Sequence, residues 1–366
     1  MPEPLTLSQA FVAAASSLRH GGIDKPELDA RLLLCHAAAL SHEAYIARAR
    51  DTLDPAAAAR LDAAIARRLE HEPVARIVGT REFYGRSFRV DPSVLDPRAD
   101  TETLIEAALA IVDRQGWRER PLRLLDLGTG SGCILLTLLA ELPCAQGIGT
   151  DISPAALACA AANAGRLGVG ARAGFIAANW LDAASGRFDL ILANPPYIAS
   201  GEIAGLAAGV AGYDPHLALD GGSDGLDAYR EIAARAGGAL AEHGRLLLEI
   251  GQTQADAVGE MLRGAGLEPQ AIGRDLPEGR AWLWQGGDRG RSIHRVAWQK
   301  KRLENRDVRV RFTARQDYSA IGAGQARGRL QRQQERILAT LDRRAFGPLV
   351  MSKGRSTAHQ AEVGWR

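Results

Sequence analysis

The chain has little of what staples or ligates. Its four cysteines, Cys35, Cys133, Cys144 and Cys159, are scattered with no C-x-x-C pair, which excludes a disulfide scaffold and a thiol-based zinc site. They read as reduced and structural, three of them in segments with the texture of buried helix or strand ends. Eight histidines are equally dispersed, and none stands at ligand spacing from a second histidine, a cysteine or a carboxylate cluster, so no metal is implied. His216 and His243 read as surface or turn residues rather than bases. Methionine, at three residues, is too sparse to argue from. No apolar run is long enough to span a bilayer, and Met1-Pro2-Glu3-Pro4 lacks the positive stretch that opens a signal peptide. The expectation is a soluble cytoplasmic protein that does not meet a membrane.

What the chain has is bulk and an uneven charge. Its 366 residues, 46% of them hydrophobic, can bury a sizeable core and favour two domains. The net charge of +2 conceals an asymmetry. From Asp288 onward 19 Lys and Arg stand against 7 Asp and Glu, leaving residues 1–287 with 26 basic and 36 acidic groups. A domain that grips duplex DNA carries the opposite sign on the face that meets the phosphates. Direct DNA binding is therefore not expected.

Four regions differ in texture. Residues 1–73 read as four helices in a small bundle, with a possible capping box at Thr6-x-x-Gln9 and an N-cap carboxylate at Asp54 before Pro55. Leu28, Arg31, Leu32, Cys35 and His36, then Leu61, Ile65 and Leu69, recur at helical spacing and predict the apolar stripes. Residues 74–100, with Ile77-Val78-Gly79, Phe83-Tyr84-Gly85 and Phe88-Arg89-Val90, read as a hairpin linker. Residues 101–286 alternate short apolar runs (Leu122–Leu127, Gly147–Thr150, Phe188–Ala193, Arg245–Ile250) with helical stretches such as Pro154–Leu167 and Leu226–Ala241. That pattern predicts an α/β fold with an open, mostly parallel sheet, whose ligands sit at the carboxyl ends of the strands. Residues 287–366 are arginine- and glutamine-rich and read as a disordered tail.

Three constellations lie at such strand ends. Asp126-Leu127-Gly128-Thr129-Gly130-Ser131-Gly132 runs from a strand into a helix near Cys133, and its glycines let backbone approach a ligand at a helix N-terminus. The dinucleotide form would need glycine where Cys133 stands; G-x-G-x-G preceded by Asp is the form of S-adenosylmethionine enzymes, although a nucleotide site or a plain turn would also fit the loop alone. Asp151, closing the next strand, can accept from both ribose hydroxyls of an adenosyl group or simply cap the following helix. Asn194-Pro195-Pro196-Tyr197 follows Asp189–Ala193. Two prolines remove two N–H donors and leave acceptors. The Asn194 side-chain oxygen and the Pro195 carbonyl can each take one hydrogen of a planar –NH2 group, while Tyr197 packs against its face. The motif selects such a nitrogen and leaves adenine and glutamine both open. Trp180, after Asn179, either lies beside the adenine or is a core tryptophan.

These segments, together with Arg81-Glu82-Phe83-Tyr84-Gly85, Val94 to Thr103, Tyr213 to Gly222 and Leu248-Glu249-Ile250-Gly251, resemble the peptide chain release factor N5-glutamine methyltransferases of the class I methyltransferase superfamily, from the N-terminal helices to about residue 284. The resemblance implies a Rossmann-like open sheet preceded by a small helical bundle that docks the protein substrate. It implies that Gly128, Thr129, Gly130, Ser131, Gly132, Asp151, Trp180 and Asn194 contact S-adenosylmethionine, and that Asn194, Pro195, Pro196 and Tyr197 hold the glutamine of a release factor's Gly-Gly-Gln tip. Where the family usually reads Ile-Pro-Arg-Pro-Glu-Thr-Glu, this chain has Asp96 for the isoleucine and Ala99-Asp100 for Pro-Glu. The competing readings are a methyltransferase acting on a ribosomal-protein glutamine and a DNA adenine-N6 methyltransferase fed by base flipping.

Overall fold

The computed structural model describes residues 5–182, 185–274, 280–286 and 296–297. The chain divides into two compact units, Met1–Trp298 and Gln299–Arg366, and all described residues belong to the first. The expected disordered tail, 287–366, lies outside the described residues apart from Val296–Ala297.

Five helices come first: α1 (Leu7–His20), α2 (Pro26–Ala37), α3 (His42–Ala47), α4 (Pro55–Leu69) and α5 (Val74–Val78). The predicted caps form. The Gln9 N–H donates to Thr6 Oγ1 and the Thr6 N–H returns to Gln9 Oε1 at 2.8 Å, while Asp54 accepts from the Ala57 N–H at 3.0 Å. Their core is Leu7, Ala10, Ala14 and Leu18 of α1, Ala30, Leu33 and Leu34 of α2, and Leu61 and Ala64 of α4. The stripe expected on α2 is thus corrected, since Leu28 and Leu32 are exposed. Ala30, Leu33, Leu34 and Ala37 have the same i, i+3, i+4, i+7 spacing, and each fully buried leucine contributes about 2 kcal/mol, so the face that meets α1 wins.

The hairpin is shorter than expected. Ile77-Val78 belong to α5, which Gly79 ends in the left-handed region at φ +76°, a residue without Cβ being the usual helix terminator there. The hairpin proper is β1 (Thr80–Phe83) and β2 (Arg86–Arg89), with Phe83 opposite Arg86. Its two-residue loop, Tyr84-Gly85, has φ +49° and +69°, as a twisted two-residue hairpin turn requires. Phe83 and Phe88 meet edge to face, 6.0 Å between centroids, and enter the core under α6 (Glu102–Arg114).

The rest alternates β3 (Arg123–Leu127), α7 (Cys133–Glu141), β4 (Gln146–Asp151), α8 (Pro154–Arg166), β5 (Ala173–Ala177), β6 (Phe188–Ala193), the short α9 (Ala208–Ala211), α10 (Asp227–Ala239), β7 (Leu240–Ile250), α11 (Ala255–Gly264), β8 (Leu267–Arg274), β9 (Arg280–Gly286) and β10 (Val296–Ala297). The strands lie in the order β10-β8-β9-β7-β6-β3-β4-β5. From β5 to β7 all neighbours are parallel, and β9 pairs antiparallel with β7 and β8. Side chains alternate between two cores. Leu124, Leu190, Leu192 and Leu247 pack with α6 and α7; Leu125, Leu127, Ile191, Ala193, Leu246 and Leu248 pack with α10 and α11.

The chain runs outward from β3 through β4 to β5, then returns to the other side of β3 to lay down β6 and β7. The sheet therefore reverses direction between β3 and β6, where open α/β sheets leave a crevice at the carboxyl ends.

Candidate active site

Register decides what meets at that crevice. Leu127 of β3 pairs with Thr150 of β4 on one side and with Ala193 of β6 on the other. The residues that follow, Gly128, Asp151 and Asn194, leave three adjacent strands at one level, about 4.8 Å per strand apart. Ala177 of β5 pairs with Asp151, so Asn179 and Trp180 leave the sheet beside them. A cavity of about 440 Å³ opens over this row.

The glycine loop is fixed from below. Gly128, Gly130 and Gly132 all have positive φ, at +67°, +53° and +79°, a conformation that strains any residue with a Cβ. The Thr129 N–H donates to the Thr150 carbonyl at 2.8 Å, and the Gly130 N–H donates to Asp151 Oδ2 at 2.9 Å. Asp151 Oδ1 accepts from the Ser153 N–H. Asp151 thus braces the loop and begins the turn into α8 while still lining the cavity, and each carboxylate oxygen retains a second lone pair. Beneath the loop, fully buried Asp126 accepts from the Thr129 hydroxyl at 2.6 Å. Burial pushes its carboxyl up to about 7 against the pull of that hydrogen bond. Burial likewise pushes the Cys133 thiol up to about 12, leaving it protonated and inert at the cavity wall.

Trp180 is held in the left-handed region at φ +47°, a costly conformation for a bulky side chain. The Thr150 hydroxyl donates to its carbonyl at 2.9 Å. Its ring packs over Gly128, where a Cβ would come within 3.3 Å of the indole. It lines the cavity and also touches the core beneath α10, so it belongs to the core and to the cavity wall at once. Asn179 donates to Glu231 of α10 at 3.3 Å.

On the opposite wall Asn194 and Pro196 line the cavity. Pro195 is buried, and Tyr197 packs on the core beneath α10, its carbonyl accepting from the Gln254 side chain at 2.8 Å. Pro195, Tyr197 and Gly132 are not among the lining residues; the other sequence-predicted site residues are. The Asn194 Nδ2 donates to Thr101 Oγ1 at 3.0 Å.

None of the three strand-end constellations supplies the remaining wall. Ser93, Val94, Leu95, Pro97, Arg98 and Thr101 precede or begin α6, and Pro215, Leu217 and Ala218 follow α9; all line the cavity. Arg76 of α5 joins the two stretches. Its buried guanidinium donates to the carbonyls of Asp91 and Val94 and to Asp214 at 3.0 Å, and Arg98 holds the other oxygen of Asp214 at 2.5 Å. The Asp214 side chain is 1% exposed. Asp96, in the family's isoleucine position, is buried 3.7 Å from Arg81, and burial pushes its carboxyl up. Arg98 is the only cation among the described residues that line the cavity, against Asp151, Asp220, Asp227 and Glu231.

The comparisons with known proteins bear on both parts of the chain. The family described as the PrmC N-terminal domain matches residues 9–79, and the methyltransferase small domain matches residues 111–209. The release factor glutamine methyltransferase of Cereibacter sphaeroides is 51% identical over 269 residues, covering 74% of this chain and 94% of that protein. The chain belongs to this family. Release factor glutamine methyltransferases of Rhodospirillum rubrum and Bradyrhizobium diazoefficiens are 47% and 48% identical, covering 74% and 72% of this chain and 82% and 88% of theirs. Among solved structures, a methyltransferase from Pyrococcus furiosus aligns with a TM-score of 0.42 at 15% identity, over 61% of this chain and 98% of that one. The chain is a methyltransferase with the class I sheet of its family, and no helix among the described residues is long and apolar enough to cross a membrane.

Proposed function

We propose that this methyltransferase transfers a methyl group from S-adenosylmethionine to the side-chain amide nitrogen of the glutamine in the Gly-Gly-Gln tip of peptide chain release factors, in the cytoplasm. The observation that carries the reading is the row of Asp151, Gly128 and Asn194 at one level of three adjacent strands. It sets a cofactor cradle and an acceptor for a planar amino group against one cavity. The relatives' names supply the glutamine and its owner.

The residues present suit the cofactor. Gly128 to Gly132 give a backbone cradle, in which a Cβ at Gly128 would press on the Trp180 ring, Asp151 offers acceptors for ribose hydroxyls, and Trp180 offers a ring face for adenine. Arg98 is the one guanidinium among the described residues lining the cavity, which also carries four carboxylates, and it suits a carboxylate group. When bound, the cofactor supplies a methyl group activated by a positive sulfonium, a charge that four acidic side chains favour.

An amide nitrogen is a poor nucleophile because its lone pair is delocalised into the carbonyl. Asn194 Oδ1, at the cavity wall, accepts one of its hydrogens and holds it in one orientation, while Pro195, Pro196 and Tyr197, the last anchored to Gln254, fix the turn that carries Asn194; most of the rate gain comes from that positioning. The helical region 1–73 docks the release factor, and residues 101–286 carry the chemistry. Acidic groups outnumber basic ones 36 to 26 in residues 1–287, which argues against adenine in duplex DNA as the substrate. The test offers labelled cofactor with an intact release factor and with an adenine-containing duplex in parallel. Label should enter the protein alone; label in the duplex alone would replace glutamine by adenine.

A further inference from the structure

The proposed chemistry needs the Asn194 amide to face its substrate one way round. A carboxamide has an acceptor end and a donor end of nearly equal size. With Oδ1 toward the cavity, Asn194 accepts a hydrogen of the incoming –NH2. Turned over, it would set donor against donor and expel the same group.

Thr101 holds the other end of this amide. It immediately precedes α6 with a backbone that is already helical, φ −64° and ψ −17°, and its hydroxyl caps no backbone N–H of that helix. The hydroxyl is instead the acceptor for Asn194 Nδ2 at 3.0 Å, across 93 residues of sequence. Thr101 is 2% exposed, so water competes little for this bond. Its backbone is pinned as well, with the Thr101 N–H donating to the Arg98 carbonyl and the Leu104 N–H to the Thr101 carbonyl. The hydroxyl therefore meets the active-site amide from a fixed position.

We propose that Thr101 is a positioning residue which, by holding Nδ2, fixes the Asn194 side chain in place with its oxygen toward the substrate amino group. This rests on the proposed function for the identity of the substrate but not for the orientation of the amide. Thr101→Val keeps the shape and removes the acceptor; Thr101→Ser keeps the acceptor. With a release factor as substrate, Thr101→Val should lower kcat about 10- to 100-fold, less than the roughly 10²–10³-fold of a lost direct catalytic hydrogen bond because Asn194 itself remains. The Kd for S-adenosylmethionine by calorimetry should stay within about twofold, and Thr101→Ser should recover most of the rate. In protein labelled with ¹⁵N-asparagine, the side-chain NH2 resonance of Asn194 should move in Thr101→Val and keep its wild-type place in Thr101→Ser. An unmoved resonance in Thr101→Val overturns the proposal, as does a serine variant as slow as the valine one, or cofactor affinity that falls in step with kcat. If the wild-type protein methylates no release factor, the proposed substrate fails, and the amide resonance still judges Thr101.

Discussion

The two sides of the cavity are built by different means. The sheet side comprises Gly128 to Ser131, Asp151, Trp180 and Asn194, each within a few residues of a strand end and placed by strand register. The outer side joins residues 93–101 to residues 215–218 through ion pairs, with Arg76 and Asp214 separated by 138 residues. One side is held by backbone pairing that any apolar strand sequence can supply, the other by a few buried charges. The first should therefore tolerate change between its motifs, whereas the second should depend on single side chains.

Removing chemistry from the sheet side has the largest expected effect. Asn194→Ala should cut turnover by about 10²–10³-fold or more while leaving cofactor affinity within a few-fold, measured by single-turnover methylation and calorimetry. Retained turnover would remove Asn194 from its role. On the outer side, Asp214→Ala leaves the Arg76 guanidinium buried and deprived of its carboxylate. That should cost about 3–5 kcal/mol in urea unfolding. A loss under about 1 kcal/mol, the scale of an exposed pair, would show that packing holds this wall and would erase the contrast.

A gentler test changes Asp126→Asn under the glycine loop. The folded protein keeps this proton up to about pH 7, while the unfolded chain releases it near pH 4. Between those values the unfolded state binds fewer protons, so this group's contribution to stability falls by about 1.4 kcal/mol per pH unit as the pH rises and is lost above 7. Asn, which keeps the acceptor for Thr129, should remove that slope and leave the variant relatively more stable at pH 8 than at pH 4. Parallel pH profiles for the two proteins would mean that Asp126 ionises normally in the fold.

The same contrast explains how much was legible in the sequence. The glycine loop, Asp151 and the Asn194 motif could be read because each is local and each ends an apolar run. Their meeting followed from the parallel order, which also predicted a site at the carboxyl ends. The Arg76–Asp214–Arg98 cluster left no periodic trace, since a buried arginine and aspartate look like any surface charges until the chain brings them together. Thr101 was visible only as part of a family segment, and nothing local pairs it with Asn194. On α2 the sequence held two stripes of equal spacing, and only the neighbouring helix chose Leu33 and Leu34 over Leu28 and Leu32. The five-residue α5 is too short to show a helical period, so Ile77-Val78 read as the start of the hairpin.

The most direct test of the account locates the transferred methyl group. After incubation of the protein with S-adenosylmethionine and an intact release factor, fragmentation of the tip peptide by mass spectrometry should place one added methylene on the side-chain nitrogen of the Gly-Gly-Gln glutamine. A release factor with that glutamine replaced should gain none. A methyl group found on another residue, or equal labelling of the replaced factor, would contradict the account.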